Sequence, residues 1–196
     1  MPTAIESRVV EAALSIADEV GWEQVRLHAI ADRTGLSLPE IGARFRDVDA
    51  IANAWFAQAR QATLAVTAEE LDGRLADERL SIAFGRWLDH LTPQREVARQ
   101  ILRYKLHPPH LHHWVPLVFD LSRLVHDILD VARVKGAGSL RQAQEVGLTL
   151  IVLATLREWL RDDSPAQEWS KERLARRLGR AGRLARRIDR TAEPGV

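Results

Sequence analysis

The chain has 196 residues, 46% of them apolar and 28% charged, which is enough to bury the core of an ordinary globular protein in one or two domains. It contains no cysteine, which excludes disulfides, thiolate metal sites and cysteine nucleophiles. The start has no basic segment leading into an apolar one, and the uncharged run over 146–156 is too short to span a bilayer, so we expect a cytoplasmic protein.

The net charge of +1 hides an uneven distribution. Residues 171–196 hold nine Lys or Arg and three Asp or Glu, whereas residues 1–50 hold five Arg and nine Asp or Glu. A DNA-binding head is usually basic where it meets phosphate. The acidic start of the chain therefore weighs against DNA binding, and any DNA-binding feature there must be specific enough to outweigh it.

Helical periodicity runs through the whole chain, and no segment alternates as a strand would. Nine helices are predicted, the first three at 6–20, 27–34 and 38–45. The next three are one capped by Asp47 that ends before Gly73, one at 78–91, and one from Pro93 to before Pro108. The last three are one ending near 134 whose first part Pro116 breaks or kinks, one opened by Ser139 that ends near 161, and one capped by Ser164 that ends near 188. Residues 191–196 are predicted to fray. Capping boxes are predicted for three of these helices, at Ser37 with Glu40, Ser139 with Gln142, and Ser164 with Gln167.

The most specific local signal is a tight turn between the second and third predicted helices. Gly35 can take the left-handed backbone that ends a helix, and Ser37 with Glu40 starts the next one. Ile30 and Ile41 are apolar residues suited to hold the two short helices at a fixed angle. This unit places a helix in the DNA major groove in many proteins, although it also survives as a packing unit after DNA binding is lost.

Residues 21–51 resemble the TetR family of bacterial transcriptional regulators. The likeness rests on Gly21, Ile30-Ala31, Gly35-Leu36-Ser37, Phe45 and Asp49-Ala50-Ile51. It implies an all-α fold with a helix-turn-helix head over 1–50, a ligand-binding and dimerisation domain over 51–190, and a disordered tail over 191–196. It also implies a homodimeric repressor that binds a pseudo-palindromic operator in double-stranded DNA and responds to a small hydrophobic effector.

Three positions depart from that family. Gly42 stands where a helix-3 tyrosine is usual, Val48 where a lysine is usual, and Arg26 where a threonine usually caps the second helix. Loss of the first two removes phosphate contacts, which nearby arginines can partly replace. Arg44 suits a guanine edge and Ala43 a thymine methyl. The predicted DNA-binding residues are Arg26, His28, Ser37, Leu38, Ala43, Arg44 and Arg46.

The helix over 139–161 is apolar around most of its circumference, which predicts burial on more than one side. One side can face the core and another a second subunit, in a four-helix interface with the last helix. A single central helix in a monomer is the alternative interpretation. The predicted dimer residues are Leu148, Ile151, Val152, Leu156, Leu174 and Leu178.

Aromatic residues spread over several helices predict an apolar effector pocket with a histidine as its polar group, although plain core packing is an equal alternative. The predicted pocket residues are Trp55, Trp87, Trp114, Phe119, His126 and Trp159. A corner at 107–113 holds the four histidines His107, His110, His112 and His113. A solvated corner is favoured over a metal sensor there, so no metal and no cofactor is predicted.

A second resemblance links Leu156–Ser164 to the lipid-binding accessory proteins of ubiquinone biosynthesis, which share the TetR-like fold. It implies an alternative function, a non-enzymatic lipid-binding protein whose basic amphipathic C-terminal helix associates with a membrane. We favour packing of that helix within the protein over membrane contact. No phosphate-binding glycine loop, His-Glu-x-x-His or Gly-x-Ser-x-Gly motif is present, so we predict that the protein is not an enzyme.

Overall fold

The computed structural model describes residues 3–106 and 114–192, with side chains over 3–105 and 119–186, and its regular structure is entirely helical. Short 3-10 turns lie at Trp22–Gln24, Thr92–Gln94 and Pro165–Gln167. The α-helices in chain order are α1 (Ala4–Val20), α2 (Leu27–Thr34), α3 (Leu38–Gly42), α4 (Val48–Leu64), α5 (Ala68–Leu71), α6 (Ala76–Leu91), α7 (Arg95–Leu106), α8 (Trp114–Val131), α9 (Gly138–Trp159) and α10 (Glu168–Ala192). The all-α prediction is confirmed.

The single turn α5 is the one described helix beyond the predicted nine, because the helix expected over 47–72 is interrupted. Thr67 Oγ1 accepts from the Glu70 amide at 3.4 Å, and the Glu70 carboxylate accepts from the Thr67 amide at 3.0 Å. This capping box starts a new turn and so ends the continuous helix at Leu64. The Thr-x-x-Glu pattern was present in the sequence and is the signal that would have located the break.

Two of the predicted capping boxes are wrong. α9 begins at Gly138 with Ala137 as its N-cap, two residues before the predicted N-cap Ser139, which therefore lies inside the first turn. Gln167 takes a left-handed φ of 52°, which removes it from the start of a helix. α10 therefore begins at Glu168 and needs a different cap.

Asp162 supplies that cap from the end of the preceding segment together with Ser164, whose hydroxyl accepts from the Trp169 amide at 3.2 Å. Its carboxylate accepts from the Ser164 amide and hydroxyl at 3.0 and 2.6 Å and from the buried Ser170 amide at 2.7 Å. Burial opposes the ionised form, but the hydrogen bonds from Ser164 and Ser170 outweigh it and lower the pKa of Asp162 to about 2. The charged carboxylate thus joins the end of α9 to the first turn of α10.

We expect Asp162→Asn to remove a pH-dependent part of the folding stability. The folded pKa lies below the ordinary value of 3.8, so this contribution is complete above 3.8 and disappears as the pH falls toward 2. Its size is about 2 kcal/mol in the free energy of unfolding. Urea denaturation of both proteins at about pH 5 and about pH 2.5 measures it. Asp163→Asn, at an exposed neighbour, is the control and should show the wild-type pH dependence.

Two compact units are present. The first comprises Met1–Gln61 and Asp89–Val118, and the second comprises Ala62–Leu88 and Phe119–Val196. In the first, fully buried side chains of α1, α2, α3 and α7 form the core, including Val9, Ile30, Ile41 and Ile101. In the second, the core includes Phe84, Ile128, Trp159 and Leu174. The first unit therefore contains the predicted head together with most of α4 and with α7.

The predicted histidine corner at 107–113 lies outside the described residues. α8 begins at Trp114, so Pro116 falls in its first turn, where a missing amide proton is tolerated. Among the described residues, no three His, Asp or Glu side chains are grouped as metal ligands. No described helix combines the length and the apolar character needed to cross a bilayer.

Candidate nucleic-acid interface

The turn between α2 and α3 has the predicted geometry. Gly35 is left-handed, with φ 69° and ψ 14°, and its amide donates to the Ala31 carbonyl at 2.8 Å. Ser37 Oγ accepts from the Glu40 amide at 3.4 Å, while the Glu40 carboxylate accepts from the Ser37 amide at 2.8 Å. A side chain at position 35 would be strained by this backbone. The turn is therefore fixed at both ends by local hydrogen bonds.

Apolar burial fixes the angle between the two helices. Ile30 of α2 and Ile41 of α3 are both fully buried, and Phe45, just after α3, is almost fully buried. α3 is only five residues long and would not be stable alone, so its position depends on this packing. The predicted apolar contacts of the helix-turn-helix unit are thus part of the core of the first unit.

Two arginines that the sequence analysis did not single out hold α1 against the turn. Arg8 donates to the Thr34 carbonyl at 2.6 Å, at the open C-terminal end of α2. Arg33 donates to both carboxylate oxygens of Glu19, at 2.7 and 2.8 Å, and also to Ser15. The hydrogen bond from Arg33 lowers the pKa of Glu19, so this carboxylate is ionised at neutral pH. Nothing in the sequence spacing signals these long-range contacts.

One face of α3 and the turn after it is open to solvent. Leu38, a large apolar side chain, is 50% exposed there, and Ala43 is also exposed. Arg44 lies at the end of this face, and its guanidinium donates to the Glu40 carbonyl at 2.9 Å. An exposed leucine on α3, with an alanine and an arginine directly after it, could offer apolar contact to a thymine methyl and a bidentate donor to guanine.

The other predicted DNA-binding residues lie at the edge of this face. Arg26 does not cap α2, and its guanidinium donates instead to the carbonyls of Glu23 and Val25 at 2.7 and 2.9 Å. Arg46 is exposed and pairs with Asp47 at 2.8 Å. His28 is exposed, and Ser37 is engaged in the capping box. Each arginine has a carbonyl or carboxylate partner that phosphate oxygens would have to replace.

Glu40 places a negative charge on the same exposed face. Hydrogen bonds from the Ser37 hydroxyl and amide lower the pKa of Glu40, so it remains ionised at neutral pH. Gly42 is exposed and Val48 is half-buried. Neither residue has a side-chain donor that could bind phosphate. The surface is well shaped for base contact but has little positive charge of its own.

Side chains of α7 bind both the turn that follows α1 and the start of α4. The Trp22 amide donates to Gln100 Oε1 at 2.7 Å. At the last turn of α7 the Lys105 ammonium, whose side chain is 3% exposed, donates to the carboxylate of Asp49 and, at 2.9 Å, to Asn53 Oδ1. Both partners lie in the first two turns of α4, directly after the helix-turn-helix. Sequence reasoning missed this buried ion pair.

The predicted pocket aromatics are divided between the two units. Trp55 is buried in the first unit beside Phe56, with ring centroids 5.4 Å apart. In the second unit Trp87 stacks on Phe84 at 6.0 Å, Trp159 is fully buried, and Phe119 is 62% exposed. His126 lies 3.1 Å from Glu145, an ion pair when the imidazole is protonated. The side chain of Trp114 lies outside the described residues.

The predicted dimer residues are mostly inside their own subunit. Leu148 and Val152 on α9 and Leu174 and Leu178 on α10 are buried in the second unit, where the two helices pack together. Ile151 and Leu156 are half-buried. The solvent-facing side of α9 instead presents an apolar surface made of Val146, Leu150 and Leu153.

A short helix presented on a tight glycine turn in an all-helical protein defines the helix-turn-helix class of DNA-binding proteins. The chain is similar to a TetR transcriptional regulator from Nitrosomonas europaea ATCC 19718, with 34% sequence identity over 91% of this chain and 98% of that chain and a TM-score of 0.81. At this identity and coverage, the chain belongs to the TetR family of transcriptional regulators.

Two more distant structures share the fold. A TetR regulator from Rhodococcus sp. RHA1 is 14% identical, with 88% of this chain and 92% of that chain covered and a TM-score of 0.62. The multidrug binding protein EbrR, complexed with imidazole, is 20% identical, with 90% of each chain covered and a TM-score of 0.54. Neither a protein-family model nor a curated protein sequence matches the chain.

Proposed function

We propose that this TetR-family protein is a homodimeric repressor that reads a pseudo-palindromic operator with α3 and releases it on binding a small hydrophobic effector. The observation that carries the proposal is the exposed face of α3, fixed by the Gly35 turn and the Ser37–Glu40 capping box. Family membership supports transcriptional regulation and argues against an enzyme. We place its action in the cytoplasm, where operator DNA is accessible.

Arg44 is the residue proposed to specify sequence, because its guanidinium matches the two acceptors of a guanine edge. Leu38 and Ala43 provide apolar contacts beside it. Arg26, His28, Ser37 and Arg46 are proposed to position the backbone and carry little sequence information. In a two-fold dimer, the two copies of this face meet half-sites about one helical turn of DNA apart.

Arg44→Ala is expected to weaken operator binding about 10- to 100-fold with little effect on random DNA, because the lost contact is to a base edge. Fluorescence anisotropy with DNA from around the protein's own gene and with random duplex, at two salt concentrations, measures both affinities. Arg103→Ala, at an exposed arginine of α7, is the control and should keep the wild-type preference. A wild-type protein without any preference over random DNA would rule out the repressor.

The dimer is proposed to form through the solvent-facing side of α9. Val146, Leu150 and Leu153 are four and three residues apart, so they share one helical face, and each is about half exposed or more. A contiguous apolar face of this kind marks an interaction site. We name these three residues the α9 apolar face. Leu148 and Val152 lie on the opposite side of α9 and are buried in the subunit. The helix can therefore pack against the core with one side and against a second subunit with the other.

The effector is proposed to bind within the second unit, near Trp87 and Trp159, with His126 as a polar group. Large aromatic side chains suit an apolar ligand. An effector that binds better to one arrangement of the dimer shifts the population away from the arrangement that fits the operator. The lipid-binding alternative is not favoured, because the 34% identical relative is a regulator and the apolar residues Leu174 and Leu178 of α10 are buried.

A further inference from the structure

We propose that an arginine stripe on α10 is a second nucleic-acid contact, which binds the phosphate backbone without regard to sequence. The stripe consists of Arg173, Arg176, Arg180 and Arg183, and the sequence continues it at Arg187 and Arg190. The successive spacings are three, four, three, four and three residues. At this period every position falls on one side of an α-helix, and the six positions span about 25 Å along its axis.

Most acidic groups near α10 are already occupied by arginines. Glu158 pairs with Arg173 at 3.1 Å and with Arg177 at 2.6 Å, and Asp77 lies 3.7 Å from Arg186. Arg176 has only a loose, exposed pair with Glu172 at 3.6 Å. Among the described residues, Arg180 and Arg183 have no ion-pair partner. The stripe therefore carries positive charge that the subunit itself does not neutralise.

The arginine stripe also borders a groove that could hold an anion. Among the residues whose side chains are described, Arg173, Arg176, Arg177 and Arg180 line a groove of about 290 Å³. Planar guanidinium groups bind phosphate oxygens in a bidentate manner. A second cavity of about 530 Å³ is lined by Arg176, Arg180 and Arg183 and also by Asp77 and Glu78, so only its arginine side suits an anion.

Stability does not explain why these arginines are aligned. Like charges three and four residues apart on a helix repel one another. The helix is held instead by its opposite side, where Leu174 and Leu178 are buried and Asp162 caps the first turn. An arrangement that is unfavourable for the isolated subunit becomes favourable when a polyanion lies along it.

The observations favour a nucleic acid over a membrane as that polyanion. An interfacial membrane helix inserts a continuous apolar face, but Leu174 and Leu178 of α10 are buried in the subunit. The large exposed apolar side chains described on α10, Trp169 and Leu184, are fifteen residues apart and do not form such a face. The head over 1–50 has more acidic than basic residues, whereas residues 171–196 hold the chain's excess positive charge. A regulator whose head is acidic needs positive charge elsewhere to attract DNA in a salt-dependent manner. A straight row of arginines along one side of α10 can contact successive phosphates of a nucleic-acid backbone.

The test is the triple variant Arg176→Gln/Arg180→Gln/Arg183→Gln, because glutamine keeps helix propensity while removing charge. Its matched control is Arg103→Gln/Arg123→Gln/Arg161→Gln, which removes the same charge from exposed positions outside the stripe. Anisotropy with a random-sequence duplex is measured from about 50 to about 200 mM salt. We expect the stripe variant to bind about tenfold or more weakly, with a slope of log affinity against log salt reduced by about 2 to 3.

The control triple should keep a slope near that of the wild type, and the thermal midpoint of the stripe variant should not fall. Equal slopes in the two triples, or a clear loss of folding stability in the stripe variant, would overturn the proposal. A third arm uses vesicles of phosphatidylcholine and phosphatidylglycerol. Stripe-dependent binding to these vesicles without binding to random duplex would overturn the nucleic-acid assignment in favour of a membrane.

Binding through the stripe does not require that the head reads sequence. Loss of the stripe should lower operator and random affinities by the same factor, whereas Arg44→Ala should change their ratio. If wild-type protein binds random duplex through the stripe but shows no operator preference, the repressor proposal fails and the stripe stands. If the stripe triple leaves binding to random duplex unchanged while Arg44→Ala abolishes the operator preference, the stripe proposal fails and the repressor proposal stands.

Discussion

Leu150→Glu combined with Leu153→Glu is expected to convert the protein into a folded monomer. Both leucines belong to the α9 apolar face and point to solvent in the single subunit, at 63% and 46% exposure. Glutamate there is hydrated in the monomer, so the fold should survive. In a two-fold dimer the same substitutions would bury four carboxylates against apolar surface, which is strongly unfavourable. Sedimentation or light scattering at micromolar concentration gives the oligomeric state directly.

Loss of the dimer should also remove operator binding. A dimer gains affinity because the second half-site binds within an already formed complex, and losing this gain weakens binding by about 100-fold or more. Leu75→Glu is the matched control, because Leu75 is an equally exposed leucine outside the α9 apolar face, at 57% exposure. It should remain dimeric. A double variant that stays dimeric would place the interface on another surface.

The helix-turn-helix was predictable because its signals are local. Gly35 and the Ser37–Glu40 box determine the turn through neighbours two to four residues away, and the apolar positions Ile30 and Ile41 follow from helical periodicity. The same reasoning failed at α10, where Gln167 was expected to cap. There Ser164 caps through the Trp169 amide, five residues on, and Asp162 through the Ser170 amide, eight residues on. No capping pattern of three-residue spacing includes such a contact.

The faces of α9 show a second limit. The helix is apolar around most of its circumference, so periodicity cannot distinguish the side that meets the core from the side that stays open to solvent. Leu148 and Val152 were predicted at the interface and are buried in the subunit, whereas Val146 and Leu150 are open. Only the packing of neighbouring helices makes this distinction, and a single sequence does not contain it.

The buried ion pair between α7 and α4 could not be predicted from the sequence either. Of the substitutions proposed here, removing this pair should cause the largest loss in the free energy of unfolding. Lys105 and Asp49 are 56 positions apart, and nothing in either segment indicates the other. The pair also suits both helix dipoles, because the ammonium lies at the last turn of α7 and the carboxylate in the first turn of α4. It ties α7 to the helix that follows the DNA-reading turn.

Lys105→Met fills a similar volume but leaves the largely buried Asp49 carboxylate without its ammonium. Breaking such a pair costs about 3 kcal/mol in the free energy of unfolding, which corresponds to a fall of about 6 to 12 °C in Tm for a chain of this length. Calorimetry or urea denaturation measures the loss. Operator affinity should fall with it, because the first turn of α4, which follows the helix-turn-helix, would no longer be held to α7.

The double variant Lys105→Met/Asp49→Asn separates the ion pair from simple packing. With both charges absent, no largely buried carboxylate is left without its ammonium, so the double variant should be more stable than Lys105→Met alone. The interaction energy from the four proteins of this cycle then gives the coupling between the two side chains. A coupling near zero would mean that Lys105 acts through its aliphatic stem, and the head would then be fixed to α7 mainly by the hydrogen bond from Trp22 to Gln100.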